Sequence, residues 1–381
     1  HAHLINEAWS LFQPPDAPSQ ATALDLDSFL FLYLANGVTT VQVLSATSED
    51  LDLRQRISQG EILGPRLILA RMIDSPDRAW PPPLSVWVAS PEAARAAVLE
   101  AHEAGYDAMK AYSFLDRASY DAIATTTQET GMDLIGHIPM GLSLEYVVAA
   151  GQRLIAHSEE VMKHAVGDFS QEKIEQLAAI LADSDTWIMP TLVTSRNVVS
   201  LFDDVEGQLT RSETSYFQHP VQQGAWSFII QNLYMPIADE QRQGIRQGFE
   251  RFQLPFTKTL HDRGVKLLAG TDTGVPVLVP GFALHRELEE LVGIGLTPYE
   301  ALKTSTTNPI EYLGELTDAG TVEVGKRADL VLLKQNPLVD IRHSSAIAGV
   351  MLRGQWLADA EIETGLSRLR DPRTIHSLPT P

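Results

Sequence analysis

Short apolar runs alternate along the chain with stretches in which apolar residues recur every three to four positions. This alternation predicts buried parallel strands with helices between them. The predicted strands lie at 37–43, 66–70, 107–112, 132–137, 153–157, 187–191 and 265–269. Ser90-Pro91 predicts the start of one helix, with Ser90 as its N-cap, and Gly105 predicts its end.

The number of strands predicts the fold class. Seven strands, with an eighth that would end in His1-Ala2-His3, predict an α/β fold of the (β/α)8 TIM barrel type. An open doubly wound sheet is the alternative, and it is less favoured because no Gly-rich phosphate loop follows any strand. The stretch at 197–253 is aromatic and Gln-rich, and we expect it to form helices over the barrel mouth.

After residue 314 the pattern changes to short β runs, at 321–324, 328–333 and 347–352. We therefore divide the chain into a barrel at 1–314 and, at 315–381, part of a small β domain that ends in a polar tail from Asp371.

The composition limits which partners and which metal ligands the protein can have. The net charge of −20 over 381 residues argues against nucleic acid or an anionic membrane as a partner. Cys is absent, so a metal ion would need His, carboxylate or a modified Lys as ligands. No run of about 18 apolar residues predicts a transmembrane helix. We expect the substrate to be a small molecule. Assembly of the chain into a homo-oligomer stays an open alternative.

Residues able to bind a metal ion follow several predicted strands, at the end where barrel enzymes place their sites. Side chains at i and i+2 on a strand point the same way, so His1 and His3 could share one ion. The spacing of Lys110, His137 and His157 suits successive strand–helix units of roughly 20–30 residues. An isolated histidine at a strand end is more often a hydrogen-bonded structural residue, so the joint pattern carries the prediction. The full set is His1, His3, Lys110, His137, His157 and Asp272.

With these motifs in order, the sequence resembles the metal-dependent amidohydrolase superfamily, near its imidazolonepropionase- and prolidase-like branch. The resemblance covers nearly the whole chain. It rests on His-x-His, Gly-Val-Thr-Thr-Val, Gly-Pro-Arg-Leu, Lys110-Ala-Tyr, Gly-His137-Ile-Pro, His157-Ser, Gly-Thr-Asp272, Asn308-Pro309 and the run from Gly320 to Leu330. In such proteins that last run marks re-entry into a β-sandwich domain, which the C-terminal segment here would complete.

The resemblance implies a site with two divalent ions, with zinc the favoured metal. His1 and His3 with Asp272 would bind the more buried ion, and His137 and His157 would bind the second. Lys110 would bridge the two ions as an N-carboxylated lysine. Two nearby cations disfavour a bare ammonium, so the amine would be neutral and able to take up CO2. The resulting carbamate is a bidentate anion suited to such a bridge.

The resemblance also implies a reaction. A metal-bound hydroxide, formed because zinc lowers the pKa of water to about 7, would attack a polarised carbonyl carbon. Asp272 would take the proton and pass it to the leaving nitrogen. The favoured function is hydrolysis of amide (C–N) bonds in dipeptides or N-acyl amino acids. A lactone, cyclic imide or organophosphate hydrolase is one alternative, and a non-catalytic ligand-binding paralogue is another.

Three further residues are candidate substrate contacts. Tyr112 lies two residues after Lys110 and faces the same side, although packing inside the barrel is an equal alternative. Arg196 could hold a substrate carboxylate. His285 opens a helix after Asp272, and capping or packing is the favoured role there. The family often has Glu just before the equivalent of His157, where this chain has Ala156, so that support for His157 is lacking.

A histidine pair that ends a strand implies that the strand precedes it. We therefore expect the natural chain to begin earlier, by about 50–60 residues. Without that segment, the strands at 38–43 and 265–269 would each present an unpaired edge. Any signal peptide would lie there too, so cytoplasmic and exported locations both stay open.

Overall fold

Two sheets organise the residues that the computed structural model describes, which are 1–4, 26–76, 80–216 and 220–370. The predicted tail from Asp371 lies outside them. The larger sheet is parallel and curled, with the order β1-β2-β4-β5-β6-β7 and β3 paired with β2; its strands are β1 Thr40–Val43, β2 Arg66–Asp74, β3 Ser85–Trp87, β4 Ala108–Ala111, β5 Asp133–Gly136, β6 Leu154–Ala156 and β7 Trp187–Met189. The smaller sheet is antiparallel, with the order β10-β9-β8; its strands are β8 Leu330–Leu333, β9 Ile347–Leu352 and β10 Gln355–Ala358.

Helices follow most strands of the parallel sheet. They are α1 Leu26–Ala35, α2 Ser48–Ser58, α3 Pro91–Ala104, α4 Arg117–Thr130, α5 Leu144–Ala149, α6 Ser158–Met162, α7 Gln171–Ala182, α8 Leu192–Asp203, α9 Val205–Leu209, α10 Pro220–Ile229, α11 Asp239–Gly248, α12 Leu254–Asp262, α13 Phe282–Gly293, α14 Pro298–Ser305, α15 Thr307–Tyr312 and α16 Asp359–Leu369. Short 3-10 turns lie at Lys163–Ala165, Ser212–Tyr216 and Ile341–Ser345, and π-helical turns at Ile230–Tyr234 and Phe249–Gln253. Within the described residues, none of these helices has the length and apolar character needed to span a bilayer.

The predicted helix after Ser90 is confirmed as α3. The Ser90 hydroxyl accepts a hydrogen bond from the backbone N–H of Ala93, and Gly105 ends the helix with a φ of 90°. Glycine takes this left-handed conformation without the Cβ clash that other residues meet there.

The register of the parallel sheet places Lys110 at the level of the metal-binding candidates. Lys110 lies opposite Met72 on β2 and Ile135 on β5. Gly136 ends β5 with a φ of 113°, and a Cβ there would lie 2.5 Å from the carbonyl oxygen of Ala111 and 2.7 Å from Cγ of Lys110. Only glycine therefore allows β5 to approach β4 so closely just before His137.

Single β-bridges extend the parallel sheet at both sides. Ala2 bridges Val43 and also Thr273, while Leu267 bridges Ile188. The expectation of an unpaired edge at 38–43 is therefore wrong at Val43, whereas on the other side Ala2 pairs with Thr273, which lies beyond the predicted strand at 265–269. The predicted strand at 265–269 is only a bridge, because the chain turns away after Leu268 and the N–H of Ala269 donates to Thr304 on α14.

The small sheet follows the predicted pattern in part. The runs at 328–333 and 347–352 are confirmed as β8 and β9. The predicted strand at 321–324 is wrong: Val322 and Val324 are 84% and 107% exposed, and no strand among the described residues pairs with them. The buried side of β9 packs on α1 and α16 through Ala35, Ile347, Val350 and Ile362.

Candidate metal centre

Four imidazoles and one carboxylate meet beside the carboxyl ends of the parallel strands. Neighbouring rings are close, with centroid distances of 5.2 Å for His1–His3, 5.2 Å for His1–His157 and 5.1 Å for His137–His157. Oδ1 of Asp272 lies 3.2 Å from Nε2 of His1 and 2.9 Å from Nε2 of His3. Ligand atoms of His1, His157 and Asp272 all lie within 4.8 Å of one another, close enough to share one ion.

Lys110 reaches the same place from β4. Its side chain lines the cavity beside the imidazoles, and the residue is 2% exposed. Nζ lies 5.3 Å from the ring centroid of Tyr112, and it makes no hydrogen bond or ion pair with the residues described. Burial lowers the pKa of Lys110 to about 8, although Asp272 and Glu160 oppose the shift. A buried, unpaired amine of this kind is more readily neutral than a surface lysine.

A hydroxyl group lies at Nδ1 of three imidazoles and fixes their orientation. When the hydroxyl accepts the Nδ1–H hydrogen, the lone pair remains on Nε2, which is the atom that faces the cluster. Thr191 thereby supplies the support for His157 that the absence of Glu at position 156 had left open. The three contacts are His3 with Ser45 at 2.5 Å, His137 with Ser113 at 3.0 Å and His157 with Thr191 at 2.8 Å.

Burial sets the protonation states that metal binding requires. It lowers the pKa of His3, that of His137 well below the usual value, and that of His157 to about 4. Burial alone would raise the pKa of Asp272, but His157 and His3 hold it well below its usual range. The site therefore offers neutral imidazoles and an ionised carboxylate, the forms that coordinate a cation.

The residues fit a divalent metal ion. Nε2 of His137 is buried and makes no hydrogen bond within the described part of the chain. A buried polar atom without a partner is uncommon in a folded protein, and a metal ion would satisfy it. Imidazole nitrogens with a carboxylate, and no thiolate, form the type of ligand set that zinc and similar divalent ions accept.

Glu160 is a residue of the site that the sequence did not predict. Its Oε1 lies 3.2 Å from Nδ1 of His137, and its Oε2 accepts a hydrogen bond from the N–H of Ile138 at 3.2 Å. It also forms an ion pair with Lys163. The sequence shows only that Glu160 follows His157 by three residues, whereas its partner His137 comes from the preceding strand.

Unusual backbone conformations coincide with the site. His157, Thr191 and Asp272 are non-glycine residues with φ values of 74°, 50° and 48°. This region is sterically unfavourable for residues with a Cβ, and such conformations persist only where the surroundings enforce them. All three lie just after strands or bridged segments, where the chain turns into the site.

A cavity of about 270 Å³ opens beside the proposed ligands. Tyr112 lines it, and its contact with a substrate stays a prediction. Its ring centroid lies 4.1 Å from that of His137, and its hydroxyl accepts a hydrogen bond from Trp80 at 2.9 Å. Ile229 and Leu233 come from the stretch at 197–253 that was expected to cover the mouth. Most of the remaining wall is apolar.

Arg196 and His285 do not lie at this cavity. The guanidinium of Arg196 donates two hydrogen bonds to the carboxylate of Glu290, at 2.8 and 2.9 Å. His285 is buried, with Nδ1 at 3.0 Å from the hydroxyl of Ser344. Their substrate-binding roles are therefore not supported, because their polar atoms bond to other parts of the fold. For His285 this is the packing role that the sequence favoured.

Residues 1–357 match the sequence profile of the Amidohydrolase family, so the chain belongs to that family and its predicted membership is confirmed. No curated protein sequence gave a match.

Solved structures share the fold at low sequence identity. A candidate prolidase from Bifidobacterium longum is 24% identical with a TM-score of 0.69, and the match covers 97% of this chain and 83% of that one. Bottromycin amidohydrolase is 21% identical with a TM-score of 0.72, over 90% of this chain and 76% of that one. A Xaa-Pro dipeptidase with bound methionine in its active site is 19% identical with a TM-score of 0.67, over 91% and 81% of the two chains.

Proposed function

We propose that this protein is a metal-dependent hydrolase of amide bonds in small molecules such as dipeptides or N-acyl amino acids. The observation that carries the proposal is the convergence of four imidazoles, Asp272 and Lys110 beside one cavity. Membership of the Amidohydrolase family supports hydrolase activity. The prolidase-like structural neighbours favour amide substrates over the other classes.

Two divalent ions, with zinc the favoured metal, are proposed to occupy the site. His1 and His3 with Asp272 would hold one ion, and His137 and His157 the other. Lys110 would bridge them as a carbamate; its burial and its lack of an anionic partner among the described residues support this assignment. A neutral amine is the form that reacts with CO2.

Divalent ions held here would supply Lewis-acid activation of the attacking water and of the scissile carbonyl group. The protein contributes the orientation of the ligands and the path of the proton. Asp272 is ionised and lies at the centre of the cluster, so it is placed to accept a proton and return it to the leaving nitrogen. Ser45, Ser113 and Thr191 keep the imidazoles aligned.

The curled sheet is proposed to be the wall of a (β/α)8 barrel within residues 1–314. The bridges of Ala2 with Val43 and Thr273, and of Leu267 with Ile188, support closure of the ring of strands. Residues 315–381 are proposed to be part of a small β-sandwich domain, which the three-stranded antiparallel sheet supports.

Metal analysis joined to a substrate screen tests the proposed function. Protein reconstituted with zinc in bicarbonate buffer should hold up to about two equivalents and hydrolyse dipeptides or N-acyl amino acids. Less than about half an equivalent in folded protein would overturn the proposal. Turnover of only lactones, cyclic imides or phosphotriesters would favour the first alternative, and full metal binding without any turnover would favour the non-catalytic one.

A further inference from the structure

The charge of the cavity wall points to the kind of substrate that fits. Apart from the proposed metal ligands, Glu159 is the only charged side chain among the described residues that line the cavity. The other lining residues are hydroxyl-bearing or apolar, for example Thr194, Leu84 and Val275. Outside the proposed metal centre, the described wall therefore offers one carboxyl group, that of Glu159, and no cationic side chain.

The local structure fixes where Glu159 points. Helix α6 begins directly after His157, and successive residues on a helix are about 100° apart around its axis. The Ser158 hydroxyl bonds to Gln253 Oε1 at 3.2 Å, and Glu160 contacts His137. These two buried contacts prevent the turn from rotating, so Glu159 is held on the side that faces the cavity.

Glu159 has no partner of its own in the described part of the chain. No hydrogen bond or ion pair with its carboxylate is formed there, and Lys163, the nearby cation, is paired with Glu160. A carboxylate facing a largely apolar cavity loses hydration when a substrate enters, unless that substrate carries a compensating positive charge. A substrate carboxylate would lose its hydration without gaining a compensating cation from Arg196, because that guanidinium is paired with Glu290.

We propose that Glu159 binds an ammonium group of the substrate and that the cavity favours amino-acyl amides over N-acyl amino acids. The proposal rests on the proposed hydrolase function and narrows its substrate class. An amino-acyl amide carries a cation near its scissile bond, whereas an N-acyl amino acid carries only a carboxylate. Dipeptides carry both groups and fall between them.

Three 4-nitroanilides with the same scissile bond test this: those of β-alanine, butanoic acid and succinic acid. They differ only in an ammonium, a methyl or a carboxylate at the end of a short chain. The metal-loaded wild type should rank them in that order by kcat/KM. Glu159→Gln should lower kcat/KM for the β-alanine compound by about 10–100-fold, mainly through KM, and change the butanoyl compound by less than about threefold. Glu103→Gln, on the exposed side of α3, is the matched control.

The neutral substrate separates this proposal from the proposed function. An equal loss on all three substrates in Glu159→Gln, or a wild type that prefers the succinyl compound, would overturn the role of Glu159 while leaving the hydrolase intact. If none is hydrolysed, calorimetric binding of β-alaninamide and butanamide to the metal-loaded protein decides the matter. Tighter binding of β-alaninamide that is lost in Glu159→Gln supports the subsite, and equal binding overturns it.

Discussion

The two histidines His137 and His157 reach the same cluster with different local support. Before His137, the unusual φ falls on Gly136, and Nδ1 of His137 contacts both Ser113 and Glu160. At the next strand, the unusual φ falls on His157 itself and on its partner Thr191. Among the described residues, Thr191 alone contacts Nδ1 of His157. One imidazole is held without strain by two contacts, and the other is held in a strained backbone by one.

A buried carboxyl group steadies the segment behind each hydroxyl. On the His137 side, Asp74 accepts a hydrogen bond from the N–H of Phe114, next to Ser113, at 2.8 Å. On the His157 side, Glu287 accepts one from the N–H of Val193 in the first turn of α8, at 2.7 Å. The difference shows that similar imidazole geometry can arise from glycine freedom or from enforced strain. We expect the strained side to be more sensitive to mutation.

Removal of the bridge proposed at Lys110 should have the largest effect, because in that proposal both sides depend on it. Lys110→Ala should lose bound metal and at least about 10⁴-fold in activity, beyond the roughly 10–100-fold expected for a group that only orients a ligand. Elemental analysis and turnover measure the two losses, and added acetate or propionate should partly restore both by filling the space left by the carbamate. Lys303→Ala on α14 is the exposed control. Full metal and full activity in Lys110→Ala would leave Lys110 with a structural role only.

Asp272 lies between the two sides, and the loss of the proton-accepting role proposed for it should have the next largest effect. Asn keeps an oxygen ligand but cannot accept the proton, so Asp272→Asn should lower kcat by about 10²–10⁴-fold while metal content changes less. Asp52→Asn, exposed on α2, controls for the substitution itself. A fall in kcat of less than about threefold would assign proton transfer to another group.

The difference in sensitivity between the His137 side and the His157 side is tested by removing one supporting side chain on each. Thr191→Val keeps the side-chain shape but deletes the only described partner of His157 Nδ1, so zinc affinity should fall by about 10–100-fold. Glu160→Gln leaves Ser113 in contact with His137, and the fall should be less than about tenfold. Competition with a chelator measures both affinities. An equal or larger effect of Glu160→Gln would show that the His157 side is not the more sensitive one.

The sequence predicts where the proposed ligands lie better than it predicts the residues that support them. His137 and His157 follow apolar runs, and that position alone places them at strand ends. Thr191 and Glu160 contact histidines from other strands, and no local pattern records such a contact. The run at 321–324 has the apolar alternation of a strand, yet its valines are exposed. A sequence pattern shows which segments are able to pair into a sheet. The pairing itself also depends on which neighbouring segments the tertiary fold brings close.

The smallest effect concerns the carboxyl group of Glu287, which lies behind Thr191. Burial raises the pKa of Glu287 to about 8 from an ordinary value of 4.5, so the folded protein keeps a proton that the unfolded chain releases between these values. Stability should therefore fall as pH rises through this window. In Glu287→Gln the side chain is neutral at every pH and can still accept from Val193, so the stability of wild type relative to the variant should drop by about 1 kcal/mol from pH 6 to pH 7. Denaturant titrations of both proteins measure this difference, in which the other titrating groups cancel, and Glu172→Gln on α7 is the exposed control. A difference that stays constant with pH would mean that Glu287 is ionised in the folded protein and holds α8 as a charged cap.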